Sequence, residues 1–245
     1  MGEEFIRSEM VLGAAAMERL SGCRVAVFGL GGVGGCAAEG LVRSGIGALD
    51  LIDHDRVSLS NLNRQIIATH STVGMRKVEA AAKRFLDINP DLRLQLHPIF
   101  LSPETVDAFD FAAYDYVVDA IDTVTAKLCL ILRAKAAETP IICSMGTGNK
   151  LDPSQLTLTD LSKTSMDPLA RVMRRELRRR GITHLKVLCS TEEPNLRHRP
   201  QPESTADSPA DQPRKAVPGS TSFVPTAAGF LIASAVVRDM DGDLL

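Results

Sequence analysis

The sequence predicts an α/β fold: a doubly wound, mostly parallel sheet, with an N-terminal helical arm ahead of it and an irregular C-terminal extension behind it. Three observations lead there. Short β-branched runs alternate with segments of helical periodicity from about residue 24 to residue 146. The strands are almost continuously apolar, as strands covered on both faces must be. A glycine-rich turn joins the first strand to the helix after it.

The elements follow in order. Residues 1–22 include "RSEMVLGAAAMERL", whose apolar residues recur at helical spacing and form the arm. "RVAVFG" is a strand ending in glycine, "CAAEGLVRSG" a helix stopped by Gly45, and "ALDLID" a strand ending in acids. Together they make a βαβ unit, with parallel strands and a right-handed crossover. "KVEAAAKRFLDIN" is a helix halted ahead of Pro90, "LRLQLHPIF" and "YDYVVDAID" are strands, "TAKLCLILRAKAAE" is a helix and "PIICSMG" a strand. This core covers 23–150, and its ligands belong at the C-terminal ends of the strands. In 151–245 the alternation weakens. "DPLARVMRRELRRRGI" is a basic helix over 168–180 closed by Gly181, "LKVLCSTEE" is a strand, and 194–215, rich in Pro, Ser, Asp, Gln and Arg, is a flexible loop. A small-residue helix follows from about Thr226.

A chain of 245 residues with 44% apolar content can bury a sizeable core. Its formal net charge of −2 excludes a protein that coats nucleic acid by charge alone, so any RNA contact is local. The five cysteines are odd in number and contain no C-x-x-C pair. That argues against a disulfide framework and a four-cysteine zinc site, and fits a cytoplasmic protein in a reducing compartment. The apolar stretch from Ala227 to Val237 falls short of the about 20 residues that span a bilayer, so no membrane span is expected.

Gly29, Gly31 and Gly34 form G-x-G-x-x-G, with Gly32 between them, in the strand–turn–helix setting of a Rossmann-like nucleotide site. Asp53 ends the second strand, where an acid bonds a ribose hydroxyl. To this point NAD and ATP are equal candidates, and glycines kept only for close packing are a third reading. The polar stretch "DHDRVSLSNLNRQ" then supplies Asn61 and Arg64, and Lys77 follows. Fixed cations suit a triphosphate, whose leaving pyrophosphate gains charge in the transition state. "DAIDTVTAK" adds Asp119 and Asp122 at the same sheet edge, where a carboxylate suits a magnesium ion bridging phosphates. Taken singly, Arg64 and Lys77 also read as solvated surface charges, and Asp119 as a helix cap.

Four stretches in this order, "GLGGVG", "DHDRVSLSNLNRQ", "VGMRK" and "DAIDTVTAK", resemble the ATP-dependent adenylating enzymes that include MoeB, ThiF and the ubiquitin-activating enzymes. The resemblance covers about residues 5–150. It implies that Gly29, Gly31, Gly32 and Gly34 lie against ATP, Asp53 takes the ribose, Asn61, Arg64 and Lys77 face the phosphates, and Asp122 holds magnesium. It also implies a homodimer in which Arg7 reaches the partner's ATP, making Arg7, Arg64, Lys77 and Asp122 the catalytic set. The chain departs from these relatives in lacking their zinc cysteines and in carrying Lys127 at the position of a family arginine, still a cation. No cysteine stands out as a thioester nucleophile; Cys189 comes nearest, and reads better as a buried structural thiol.

The second half, with "KLDPSQLTLTDLSKTSMDPLARVMRRELRRRGI", "CSTEEP" and "PGSTSFVPTAAGFLIAS", resembles the tRNA threonylcarbamoyladenosine dehydratase branch. The resemblance implies that ATP adenylates the threonyl carboxylate of threonylcarbamoyl-adenosine in tRNA, that the modified nucleotide closes into a ring, and that AMP leaves. It gives a tRNA partner to the basic helix through Arg171, Arg174, Arg175 and Arg178, where a solvated charged face is the plain alternative. Sulfur-transfer proteins stay an open case as further partners. The histidines show no ligand spacing, although His54 stands between two acids at a strand end. Competing functions are adenylation of the C-terminal glycine of a ubiquitin-like sulfur carrier, and NAD-dependent oxidoreduction or nucleotide binding without catalysis.

Overall fold

The computed structural model describes residues 2–196 and 218–242. Its sheet has seven strands: β1 (Arg24–Phe28), β2 (Ala48–Ile52), β3 (Arg93–His97), β4 (Tyr116–Asp119), β5 (Ile141–Ser144), β6 (Leu156–Asp160) and β7 (Lys186–Ser190). They lie in the order β3-β2-β1-β4-β5-β7-β6, all neighbours parallel except the final pair. The chain reverses direction across the sheet between β1 and β4, the switch point at which such sheets open a crevice.

Both faces are covered, which is why the central strands read as unbroken apolar runs. Val25 and Val27 point to one face, with α2 (Ala14–Gly22), α3 (Gly32–Arg43), α4 (Lys77–Ile88) and α7 (Phe223–Asp241). Ala26 and Phe28 point to the other, with α5 (Val124–Ala136) and α6 (Pro168–Arg178). There Phe28 meets Phe109 edge-on at 5.2 Å between ring centroids and stacks on Phe111 at 6.1 Å. On the first face Glu39 of α3, 2% exposed, accepts hydrogen bonds from Arg43 Nε at 2.9 Å and from Arg84 Nε of α4 at 2.5 Å.

The helix α7 lies along α3 at a separation only glycine allows. A Cβ on Gly229 would sit 2.5 Å from Cys36 Cβ, and one on Gly40 would sit 2.6 Å from Ala233 Cβ. By length and composition α7 also passes as a membrane-crossing helix, but half of it is buried in this fold, with Val224, Ala228, Ile232 and Val236 wholly so.

Several boundaries differ from those expected. The arm is two helices, α1 (Ile6–Leu12) and α2, parted at Gly13, whose φ of +84° no helix accommodates. It is fastened to the body by the buried Phe5, Met17 and Leu20 and by an ion pair from Arg19 to Asp241. The edge strand β6 has no counterpart in the expected elements. The last helix begins at Phe223, ahead of Thr226. Of the expected flexible loop 194–215, residues 197–215 lie outside the described residues, as does His198.

Candidate active site

A cleft of about 380 Å³ opens at the C-terminal ends of β1, β2, β4 and β5 and is walled on one side by the segment after β3. The glycines of the first turn have separate tasks. Gly29 has φ +90°, and a Cβ there would stand 2.7 Å from the Ala120 carbonyl oxygen. Gly34 faces back toward the strand, its absent Cβ only 1.8 Å from Gly29 O, so it permits α3 to close on β1. Gly31 lines the cleft with nothing within 4 Å of its Cβ position, so the backbone and the N-terminus of α3 are open to an anion. Gly32 is closed over by Pro225 of α7, whose Cβ lies 3.0 Å from the position a Gly32 Cβ would take.

Asp53 is 8% exposed and anchors this turn: its Oδ2 accepts from Leu30 N at 2.7 Å and its Oδ1 from Asp55 N at 2.8 Å. Lys77, the first residue of α4, places Nζ 2.7 Å from Asp55 Oδ2 and 3.5 Å from Asp53 Oδ2. It is 6% exposed, so it is a positioned cation and not a solvated one. Burial would push the Asp55 carboxyl up, but the hydrogen bond and charge of Lys77, with His54 adding to them, together outweigh it and hold the group below its ordinary range. Arg64, which lines the cleft, braces itself through Nη1 on Ser60 O and Asn63 Oδ1, both at 2.8 Å. Asn61 Oδ1 accepts Ser58 N at 3.1 Å, capping the turn that carries both residues, which leaves its amide NH₂ for a ligand. His54 lies at the cleft too, its ring edge-on to Phe100 at 4.8 Å.

The two acids after β4 part company. Asp122 is exposed at the cleft, with a single weak contact from Thr123 Oγ1 at 3.4 Å. Asp119 does not reach it: the side chain is wholly buried, 2.9 Å from the equally buried Lys127 Nζ, and its Oδ1 accepts Ile121 N at 3.1 Å. Lys127 therefore does not face the phosphates as its family position implies, because Asp119 holds it beneath the turn. Sequence reasoning passed over Gln65, which lines the cleft at 6% exposure with an Oε1 that has no hydrogen-bond partner among the described residues. A buried, unpaired amide oxygen at a cleft wall is a group waiting for a ligand.

The ThiF family profile matches residues 5–242. The chain belongs to the ThiF family. It is 39% identical over 246 residues to the tRNA threonylcarbamoyladenosine dehydratase of Bacillus subtilis, covering 100% of this chain and 97% of that protein. The Escherichia coli protein of that name is 40% identical over 176 residues, or 72% of this chain and 66% of its own. The crystal structure of the Escherichia coli enzyme in complex with ATP superposes with a TM-score of 0.86 at 32% identity, covering 98% of this chain and 95% of that one. A complex with AMP matches equally well.

Outside the cleft, this ThiF chain holds the other expected residues apart. Arg7 lies exposed on α1 and is not among the cleft residues of its own chain. In α6 the residues Ala170, Met173 and Leu177 are buried, and the arginines fan out from them. Arg171, Arg175 and Arg178 are exposed. Arg174 is half-buried and turned inward, donating from Nη1 to Thr164 O at 2.8 Å and Leu161 O at 3.2 Å. Glu176 pairs with Arg175, Arg179 and Arg180, leaving Arg171 and Arg178 without an ion pair among the described residues. Cys189 is 2% exposed, and burial raises its thiol, an inert structural group.

Proposed function

We propose that this ThiF-family chain carries out the ATP-dependent dehydration of threonylcarbamoyl-adenosine in tRNA, by way of an acyl-adenylate. The observation that carries the proposal is one cleft in which an open glycine backbone, two braced cations and an exposed carboxylate converge, in a chain related over its full length to named dehydratases. Asp53 takes the ribose, Gly31 and the α3 N-terminus take phosphate, and Asn61, Arg64 and Lys77 face the remaining charge. A threonyl carboxylate oxygen attacks the α-phosphorus, and the bond to pyrophosphate breaks. The charge gathering on the leaving group falls to Arg64 and Lys77. A nucleophile of the modified base then attacks the acyl carbon, the C–O bond breaks, and AMP departs with the oxygen that would otherwise have left as water. The nucleophile's proton goes to solvent. The residues need to position and neutralise, and no thiol takes part.

Magnesium fits Asp122, an exposed carboxylate with no strong partner, better than the Asp53–His54–Asp55 group, whose acids already hold Lys77 and backbone donors. When bound there it would neutralise phosphate charge. The homodimer is supported by α1, where Met10 and Val11 are each 79% exposed and Ile6 45%, an apolar surface that the described residues leave uncovered. In that dimer Arg7 serves the partner's ATP, and the exposed arginines of α6 track the tRNA backbone in the cytoplasm.

The experiment is turnover of threonylcarbamoyl-adenosine tRNA with ATP, read by mass analysis of nucleosides. The expected result is a ring-closed nucleoside, with one AMP and one pyrophosphate formed for each, lost in Lys77→Ala and Arg64→Ala. Pyrophosphate exchange that requires a ubiquitin-like carrier and ignores tRNA would overturn it. Mixing Arg7→Ala and Lys77→Ala chains should restore activity if Arg7 acts in trans, since one mixed site is whole.

A further inference from the structure

We propose that the β5 end of the cleft is the subsite for the carbamoyl-threonine group of the acceptor, and that the hydroxyls of Thr123, Thr147 and Ser220 recognise it. The proposal rests on the dehydratase function and assigns residues to a part of the cleft that the nucleotide does not need. Strand order converts directly into position along the cleft. The segment after β3 contributes Ile99, Phe100 and Leu101, an apolar wall. Asp53 follows at β2, Gly31 at β1, Thr123 after β4 and Thr147 after β5. A nucleotide with its ribose at Asp53 and its phosphate at Gly31 leaves the β4 and β5 end to whatever meets the α-phosphate.

The three hydroxyls there have almost nothing else to bind. Thr147 makes no side-chain hydrogen bond among the described residues, Ser220 Oγ reaches only Thr221 O at 3.4 Å, and Thr123 Oγ1 only Asp122 at 3.4 Å. Two buried threonines away from the cleft are by contrast firmly used: Thr139 Oγ1 donates to Phe111 O at 2.7 Å and Thr164 Oγ1 to Leu161 O at 2.8 Å. Each hydroxyl offers one donor and two lone pairs, which suits a ligand carrying a carboxylate, a hydroxyl and ureido N–H groups together. Neutral donors also fit the chemistry. They orient the carboxylate without pairing off the charge that makes it a nucleophile, as a guanidinium at the same place would.

The wall that presents these groups is built to hold still. Asn149 has φ +58°, and its backbone N donates to Gly219 O at 2.7 Å while its Oδ1 accepts Gly219 N at 2.8 Å. Asn63 Nδ2 donates to Ser220 O at 2.9 Å from the opposite side. Gly148 lies so close to Pro218 that a Cβ would be 2.8 Å from the proline Cβ. Asn149 is thus a positioning residue that keeps Thr147 and Ser220 side by side.

The test uses the full chain with ATP and threonylcarbamoyl-adenosine tRNA. The double variant Thr147→Val with Ser220→Ala should keep the melting temperature and the ATP dissociation constant while kcat/KM for the modified tRNA falls about tenfold or more. Asn149→Ala should follow it, and Asn149→Asp, which keeps the acceptor oxygen, should recover most of the loss. An unchanged kcat/KM, or an ATP dissociation constant that rises by the same factor, would overturn the subsite. Wild-type chain that fails to close the ring at all would instead sink the dehydratase function, and the subsite's ligand with it.

Discussion

Replacing Lys127 with methionine removes one half of an ion pair from which water is wholly excluded, both side chains being 0% exposed. The Asp119 carboxylate would keep only the Ile121 N–H at 3.1 Å as a backbone donor. Breaking such a pair from one side costs about 3–5 kcal/mol, because a charge is left buried without its partner. A domain is stable by about 5–15 kcal/mol in all, so the variant forfeits a large share of its margin. At about 2–4 °C per kcal/mol for a chain of this length, the melting temperature should fall by roughly 6–20 °C. Removing both charges, with Asp119→Leu added, should recover most of that, since no charge is then stranded. ATP affinity of the folded fraction should stay within a few-fold of wild type, as neither charge lines the cleft. Thermal unfolding and equilibrium ATP titration on the single and double variants are the assays. A Lys127→Met protein that melts within about 2 °C of wild type yet no longer binds ATP would refute this account and return Lys127 to the phosphates.

Gly31→Ala and Gly34→Ala should separate the tasks of the glycine turn. The first, with φ −75° and nothing within 4 Å, should fold with wild-type stability and lose ATP affinity, while the second, with a carbonyl oxygen at 1.8 Å, should lose both. Reversing the charge at Arg171, Arg175 and Arg178 should lower tRNA affinity and flatten its logarithmic salt slope by about 0.7–0.9 for each phosphate no longer neutralised; Arg174→Ala should cost about 1 kcal/mol of stability instead, read by urea unfolding. For Glu39, burial raises the carboxyl but the hydrogen bonds from Arg84 and Arg43 outweigh it, so its folded pKa is depressed. Its contribution is therefore complete above the ordinary carboxylate range and lost as pH falls through the folded value. The urea midpoint should hold from pH 7 to about 5 and drop below about 4, less steeply in Glu39→Gln.

The order of strands and helices was legible because apolar periodicity is local, and so was the glycine turn, which needs only a strand before it and a helix after it. Asp119 and Asp122 look alike in sequence. The pleat of β4 decides between them by aiming Asp119 at Lys127 in the interior, while the chain has left the strand by Asp122. Lys77 was visible as a cation, but its two carboxylate partners lie more than twenty residues away in sequence. Arg174 was readable in principle: Ala170, Met173, Arg174 and Leu177 form the i, i+3, i+4, i+7 stripe that faces the core. The strand β6, "LTLTD", hid because all five of its residues are only half-buried, as an edge strand allows. Gln65 carries no signal but burial, and burial is what a sequence does not display.

Pro225, which closes over Gly32, and Ser220, which lines the same cleft, come from far later in the sequence than the glycine turn they cover. A nascent chain that has already formed every glycine and cation of the early motif still lacks the roof of its own binding site. Until α7 settles along α3, ATP has an incomplete cradle and cannot lend its binding energy to the folded state. Competence to bind nucleotide thus arrives only once α7 has been made, and a message cut short before residue 218 yields an unroofed scaffold in place of a partly working enzyme.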